Sequence, residues 1–186
     1  DRHEHARRLA RGLQERGVRR GDRVAIFLEN SAETVVAIYG ALMAGAAFMV
    51  VNPQTKADKL AYVLGDAEAA AIVADGHLAK VVADAAARVP SLHTILTRGE
   101  VREPAKDVRD VAPRDVAWLD LDAFVADHPP EPRESGVLPI DLAALIYTSG
   151  STGNPKGVML SHQNMVFTQS SVAEYLRLGS DDRILN

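Results

Sequence analysis

Cysteine is absent from the 186 residues. That excludes disulfides and thiolate catalysis and suits a reducing compartment, so the expected location is cytoplasmic. An excess of positive charge is absent too: 21 Lys and Arg stand against 25 Asp and Glu, a net charge of −4. Nothing in that balance supports nucleic-acid binding. No run approaches the ~18 apolar residues of a membrane span, and no signal-peptide pattern opens the chain, so no integral membrane segment is expected. No G-x-G-x-x-G occurs, which leaves a dinucleotide site without a fingerprint. His3-Glu4-His5 lacks the two-residue insertion of a zinc-binding H-E-x-x-H, and no metal ligand is assigned.

What is present is ordinary globular composition, 47% hydrophobic and 25% charged. A chain of this length fits one domain that buries about 70% of its unfolded surface. It opens at Asp1, almost inside a helical pattern and without an initiator Met, so a trimmed N-terminus is expected.

The periodicity alternates between helix and strand. Ala6, Leu9, Ala10 and Leu13 predict a helix over 3–16, capped by Gly17, with the arginines of 2–23 on a solvated face. Val24 to Leu28 reads as a strand. Asn30 or Ser31 then caps a helix that is apolar nearly all round and so expected to be well buried; Gly45 ends it. Strands at 46–51, 70–73 and 93–97 alternate with helices at 55–64 and 78–89, the first opened by a capping-box variant at Thr55 and closed by Gly65. His77 and His93 read as edge histidines. From 98 to 139 the pattern is irregular, apart from a short helix within 116–125 that Trp118 anchors. Residues 127–138 form a proline-rich connector with the weakest expected order.

Residues 143–164 carry the chemistry. An apolar run breaks into Thr148-Ser149-Gly150-Ser151-Thr152-Gly153-Asn154-Pro155-Lys156-Gly157, and an apolar strand resumes at Val158. Those ten positions hold three glycines, four hydroxyls, one lysine and no acid. Glycines let backbone N–H groups approach an anion, hydroxyls donate to phosphate oxygens, and lysine adds a mobile charge. The stretch therefore reads as a polyphosphate cradle between two strands. It is not the G-x-x-x-x-G-K-[ST] loop of nucleotide hydrolases: Gly150 and Gly153 are three apart, and Gly157 stands where a magnesium-binding Ser or Thr belongs. Ser161 caps a helix supported by Met165, Val166, Val172 and Leu176 and ending near Gly179.

TSGSTGNPKG after an apolar strand, followed by V-M-L-S-H-Q-N, resembles the phosphate-loop signature of the adenylate-forming (AMP-binding) superfamily. Its members include acyl-CoA synthetases, peptide-synthetase adenylation domains and luciferases. The passage A-L-M-A-G-A-A-F-M-V-V-N-P resembles the first recognisable motif of that family. The resemblance implies an α/β fold, a mixed sheet flanked by helices, with residues 1–186 forming the N-terminal portion of one larger AMP-binding domain. It implies an AMP-forming ligase that attacks ATP with a carboxylic acid and passes the acyl group to coenzyme A or a carrier phosphopantetheine. Thr148, Ser149, Gly150, Ser151, Thr152, Gly153 and Lys156 would hold the ATP phosphates, with Lys156 catalytic. His162 would face the nucleotide or be structural. The adenine, acid and Mg2+ ligands would lie beyond residue 186, leaving this chain inactive by itself. Asn52-Pro53 looks more like acyl-CoA ligases of fatty-acid metabolism than amino-acid adenylation domains. A carrier-loading module is the alternative, and a non-catalytic scaffold the reading from another class.

Overall fold

A computed structural model describes residues 1–100, 116–148 and 155–183. Helix α1 (Arg2–Glu15) starts where the Asp1 carboxylate accepts from His3 N–H, and Gly17, at φ +92°, turns the chain away from its end. Then follow β1 (Arg23–Phe27), α2 (Ala32–Ala44), β2 (Ala47–Val50), α3 (Ala57–Asp66) and β3 (Ala69–Asp75). A 3-10 turn (Gly76–Leu78) leads to α4 (Ala79–Ala86) and β4 (Thr94–Arg98). Beyond it come β5 (Ala117–Asp120), α5 (Leu121–Asp127), β6 (Leu142–Thr148), β7 (Lys156–Ser161) and α6 (His162–Leu176).

The strands form one sheet in the order β5-β4-β3-β1-β2-β6-β7. Its pairs are parallel except β6 with β7. It is a mixed sheet flanked by helices, as expected. Alternation along β1 shows how the two faces are filled. Val24 and Ile26 pack with Leu9 and Leu13 of α1 and Val36 of α2, whereas Ala25 and Phe27 pack with Leu60 and Leu64 of α3 and Val82 of α4. β3 is buried at every position, the signature of a parallel strand covered on both sides. Each fully buried Leu or Phe here contributes roughly 1.5–3 kcal/mol over its exposed state.

Several local expectations change. α3 has Lys56 as its N-cap with no side-chain cap bond, because Asn52 organises the preceding turn instead. Its Oδ1 accepts from Gln54 N–H at 2.8 Å and its carbonyl from Thr55 N–H at 2.9 Å. Gly65 lies inside that helix rather than closing it. α2 is not buried all round: Val35 and Tyr39 are 46% and 54% exposed, lining an open cavity beside Arg2, His3 and Ala6 of α1. Trp118 sits on β5, paired with Ile95, and packs on Ala79 and Ala83 of α4. A four-residue strand running straight into a helix has no periodicity of its own to read. Within 98–139, β5 and α5 are thus regular.

The connector is tied down rather than loose. Arg7 Nε donates to Pro130 O at 2.5 Å, Arg8 Nη1 to His128 O at 2.7 Å, and Arg11 Nη1 to Glu131 O at 3.4 Å. Gln14 exchanges bonds with the Arg133 backbone at 2.9 and 2.7 Å. The arginine face of α1 is therefore a clamp on residues 128–133 as well as a solvated surface. α6 ends at Leu176, three residues before Gly179, with Arg177 left-handed at φ +53°. None of its residues is buried. No helix among the described residues is long and apolar enough to cross a membrane.

Candidate functional site

β6 runs parallel to β2, so its last residue stands at the carboxyl edge of the parallel strands, the edge where open α/β sheets bind ligands. β7 returns antiparallel, and the register sets Thr148 directly opposite Lys156, then Tyr147 opposite Gly157, and finally Leu142 opposite Ser161. Directly opposed residues share a face. Thr148 and Lys156 therefore lie on one side of the ribbon and Tyr147 and Gly157 on the other. Both Thr148 and Lys156 are exposed, and among the described residues no carboxylate lies within ion-pairing distance of Lys156. An uncompensated ammonium beside a hydroxyl at this edge suits an anionic ligand. The cradle residues Ser149, Gly150, Ser151, Thr152 and Gly153 lie outside the described residues.

His162 is set apart from this pair. It follows Ser161, at the far end of β7 from Lys156, which by strand rise is roughly 20 Å away. Its N–H donates to Asp141 O at 3.1 Å. Ser161 and Asn164 complete a reciprocal capping box around it, with Asn164 N–H on Ser161 Oγ and Ser161 N–H on Asn164 Oδ1, both at 3.1 Å. The structure brings Thr148 and Lys156 together and leaves His162 at the base of the ribbon.

Other residues at or near the ribbon carried no sequence signal. The Tyr147 hydroxyl donates to Asp66 Oδ2 at 2.5 Å, across 81 positions of chain. Burial, and then that hydrogen bond to Asp66, pushes the phenol well above its ordinary range. At the base, the Arg20 fork holds Asp141 through Nε at 2.7 Å and Nη2 at 2.9 Å, while Asp141 Oδ2 also accepts from Leu138 N–H at 2.7 Å. A second polar group lies at the ends of β3 and β4, where Arg98 joins Asp75, Ser31 and Glu33. Among the described residues every buried side-chain polar atom is satisfied, so this group reads as structural.

The model of the family described as AMP-binding enzyme matches residues 1–186. Tyrocidine synthase 2 of Brevibacillus parabrevis is 35% identical over 97% of this chain, which spans only 4% of that protein. The crystal structure of ATP-bound MatB from Rhodopseudomonas palustris is 30% identical with a TM-score of 0.79, covering 98% of this chain and 33% of its own. An anthranilate CoA ligase, AuaEII, solved with anthranoyl-AMP, shares the fold at TM-score 0.77 and 24% identity, over 91% of this chain and 30% of that one. With the family match running over every residue, the chain belongs to the AMP-binding enzymes, the adenylate-forming superfamily.

Proposed function

We propose that the protein containing this chain activates a carboxylic acid with ATP and passes it to a thiol, and that the β6–β7 ribbon supplies the grip on the leaving pyrophosphate. The observation that carries this is the Thr148–Lys156 pair, exposed at the carboxyl edge with the lysine charge unmatched by any described carboxylate. A carboxylate oxygen bonds to the α-phosphorus, the bond from that phosphorus to the bridging oxygen breaks, and an acyl-adenylate and pyrophosphate result. Charge accumulates on the pyrophosphate, where each pre-aimed donor is worth ~2.7–4 kcal/mol. Thr148, Ser149, Ser151 and Thr152 would donate through hydroxyls, Gly150 and Gly153 through backbone N–H, and Lys156 would supply the countercharge. The Mg2+ ligands would come from outside this chain. His162, placed by Asp141 at the other end of β7, would serve the helix start.

The acceptor is coenzyme A or a carrier-bound phosphopantetheine. Asn52-Pro53 points toward the acyl-CoA ligases. The 35% identity with a peptide synthase supports the carrier-loading reading, in which the acid would be an amino or acyl acid.

The test is ATP–pyrophosphate exchange by the whole protein across a panel of fatty, aryl and amino acids, followed by transfer to free coenzyme A or to a phosphopantetheinylated carrier. Lys156→Ala should lower exchange by about 10²-fold or more while moving stability by no more than about 0.5 kcal/mol. Wild-type protein silent with every acid would leave the scaffold reading standing instead.

A further inference from the structure

Beyond the cradle itself, the ribbon needs something to hold its open end still. β6 is paired to β2 through the Phe48–Ala144 register, β2 ends two residues later at Val50, and the last two residues of β6, Tyr147 and Thr148, run past that end paired with β7. β7 is the edge of the sheet. The end that presents Thr148 and Lys156 is thus a two-stranded ribbon extending past its parallel neighbour, and a two-stranded pair is only marginally stable without support.

Leu145 and Ile146 pack on the core from the two faces, and Tyr147 adds a polar tie nearest the open end. Tyr147, half-buried on the face opposite Thr148 and Lys156, reaches α3 and donates to Asp66 Oδ2 at 2.5 Å. Its cross-strand partner has no side chain to obstruct it. A Cβ at Gly157 would lie 2.9 Å from Leu145 Cδ1 and 3.3 Å from Tyr147 Cζ, so Leu145 and the tyrosine ring fill the space a residue there would need. Tyr147 precedes Thr148 and Gly157 follows Lys156, so a single brace touches the neighbour of each ligand-facing residue.

We propose that Tyr147, held by Asp66, is a positioning residue that fixes where Thr148 and Lys156 stand. The inference rests on the proposed function for its catalytic consequence, and on geometry alone for the brace. It concerns ATP rather than the acid, because the residues it places are the phosphate-facing ones.

The experiment uses the whole protein and two readouts. In ATP–pyrophosphate exchange, Tyr147→Phe and Asp66→Ala should each raise the KM for ATP about tenfold, leave the KM for the acid unchanged, and give no further rise when combined. Asp66→Asn, which keeps an acceptor oxygen, should stay near wild type, as should Arg88→Ala, whose exposed pair with Asp58 sits at the opposite end of α3. Hydrogen–deuterium exchange at 145–148 and 156–158 should quicken in Tyr147→Phe and Asp66→Ala but not in Asp66→Asn. An unchanged ATP KM, additive effects, or an acid KM rising in step would overturn the positioning role. Unchanged amide protection would overturn the brace, even were the wild type to show no exchange activity and the ligase reading to fall by itself.

Discussion

Arg98 grips Asp75 across neighbouring strands, Nε at 2.8 Å and Nη2 at 2.6 Å from the same carboxylate oxygen. Its remaining nitrogen, Nη1, reaches Ser31 Oγ at 2.8 Å and Glu33 Oε2 at 2.7 Å, while Asp75 Oδ2 takes Glu29 N–H at 2.8 Å. Asp75 is only 3% exposed. Arg98→Met would leave that carboxylate nearly buried with one donor, and should cost about 3 kcal/mol. Arg98→Lys, which keeps the charge without the fork, should cost less. Urea midpoints of the two variants check the order.

The Asp141 carboxyl is held below its ordinary 3.8 by its hydrogen bonds from Arg20, then from Leu138 N–H. A depressed carboxyl stabilises the fold above its unfolded pKa, and that contribution disappears as pH falls through the lower, folded value. Asp141→Asn should therefore melt below wild type at neutral pH, and the gap should close as the pH falls below about 4. Melting curves at a series of pH values decide it. A gap that persisted in acid would show that the ion pair is not what the substitution removed.

Helices α1 and α2 touch closely at Gly40. A Cβ there would stand 2.7 Å from Leu9 Cδ2, 2.9 Å from its Cγ and 3.2 Å from its Cβ, too much of the side chain to swing aside. Alanine favours a helix over glycine by about 1 kcal/mol, yet the overpacking should win, with a net loss of about 1–2 kcal/mol for Gly40→Ala. Equilibrium unfolding would show the sign.

Residues 1–186 produced alone should not turn over and should bind ATP poorly, with no saturation at micromolar nucleotide in a calorimetric titration. On the proposed function they would supply the phosphate grip without the adenine pocket, which the family resemblance places beyond residue 186. α6 also presents Phe167 and Tyr175 at 73% and 86% exposure. Phe167→Glu should raise the solubility of this fragment, since exposed apolar clusters drive association.

Periodicity made most of the sheet and its helices legible. Val24 to Leu28 and the run before Gly45 announce strand and helix because burial on a sheet or helix face repeats at 2 or 3.6 residues. The proposed cradle stands out in the sequence for another reason, since glycine, hydroxyl and lysine rarely gather except around an anion. Asp66 and Tyr147 were not, because a bond across 81 positions leaves no local pattern. The strand that carries Trp118 is hidden in the sequence because its four residues abut α5 with no turn residue between them. The clamp of α1 on the connector was equally hidden, since arginines bound to carbonyls look the same in sequence as arginines in water.

That clamp has an asymmetric outcome for mutation. Arg7, Arg8 and Arg11 grasp main-chain oxygens, which every amino acid supplies. Residues 129–133 can thus change identity with little effect on their attachment, while replacing a single guanidinium on α1 frees a segment of strap. Variation should be tolerated on one side of this contact and felt on the other.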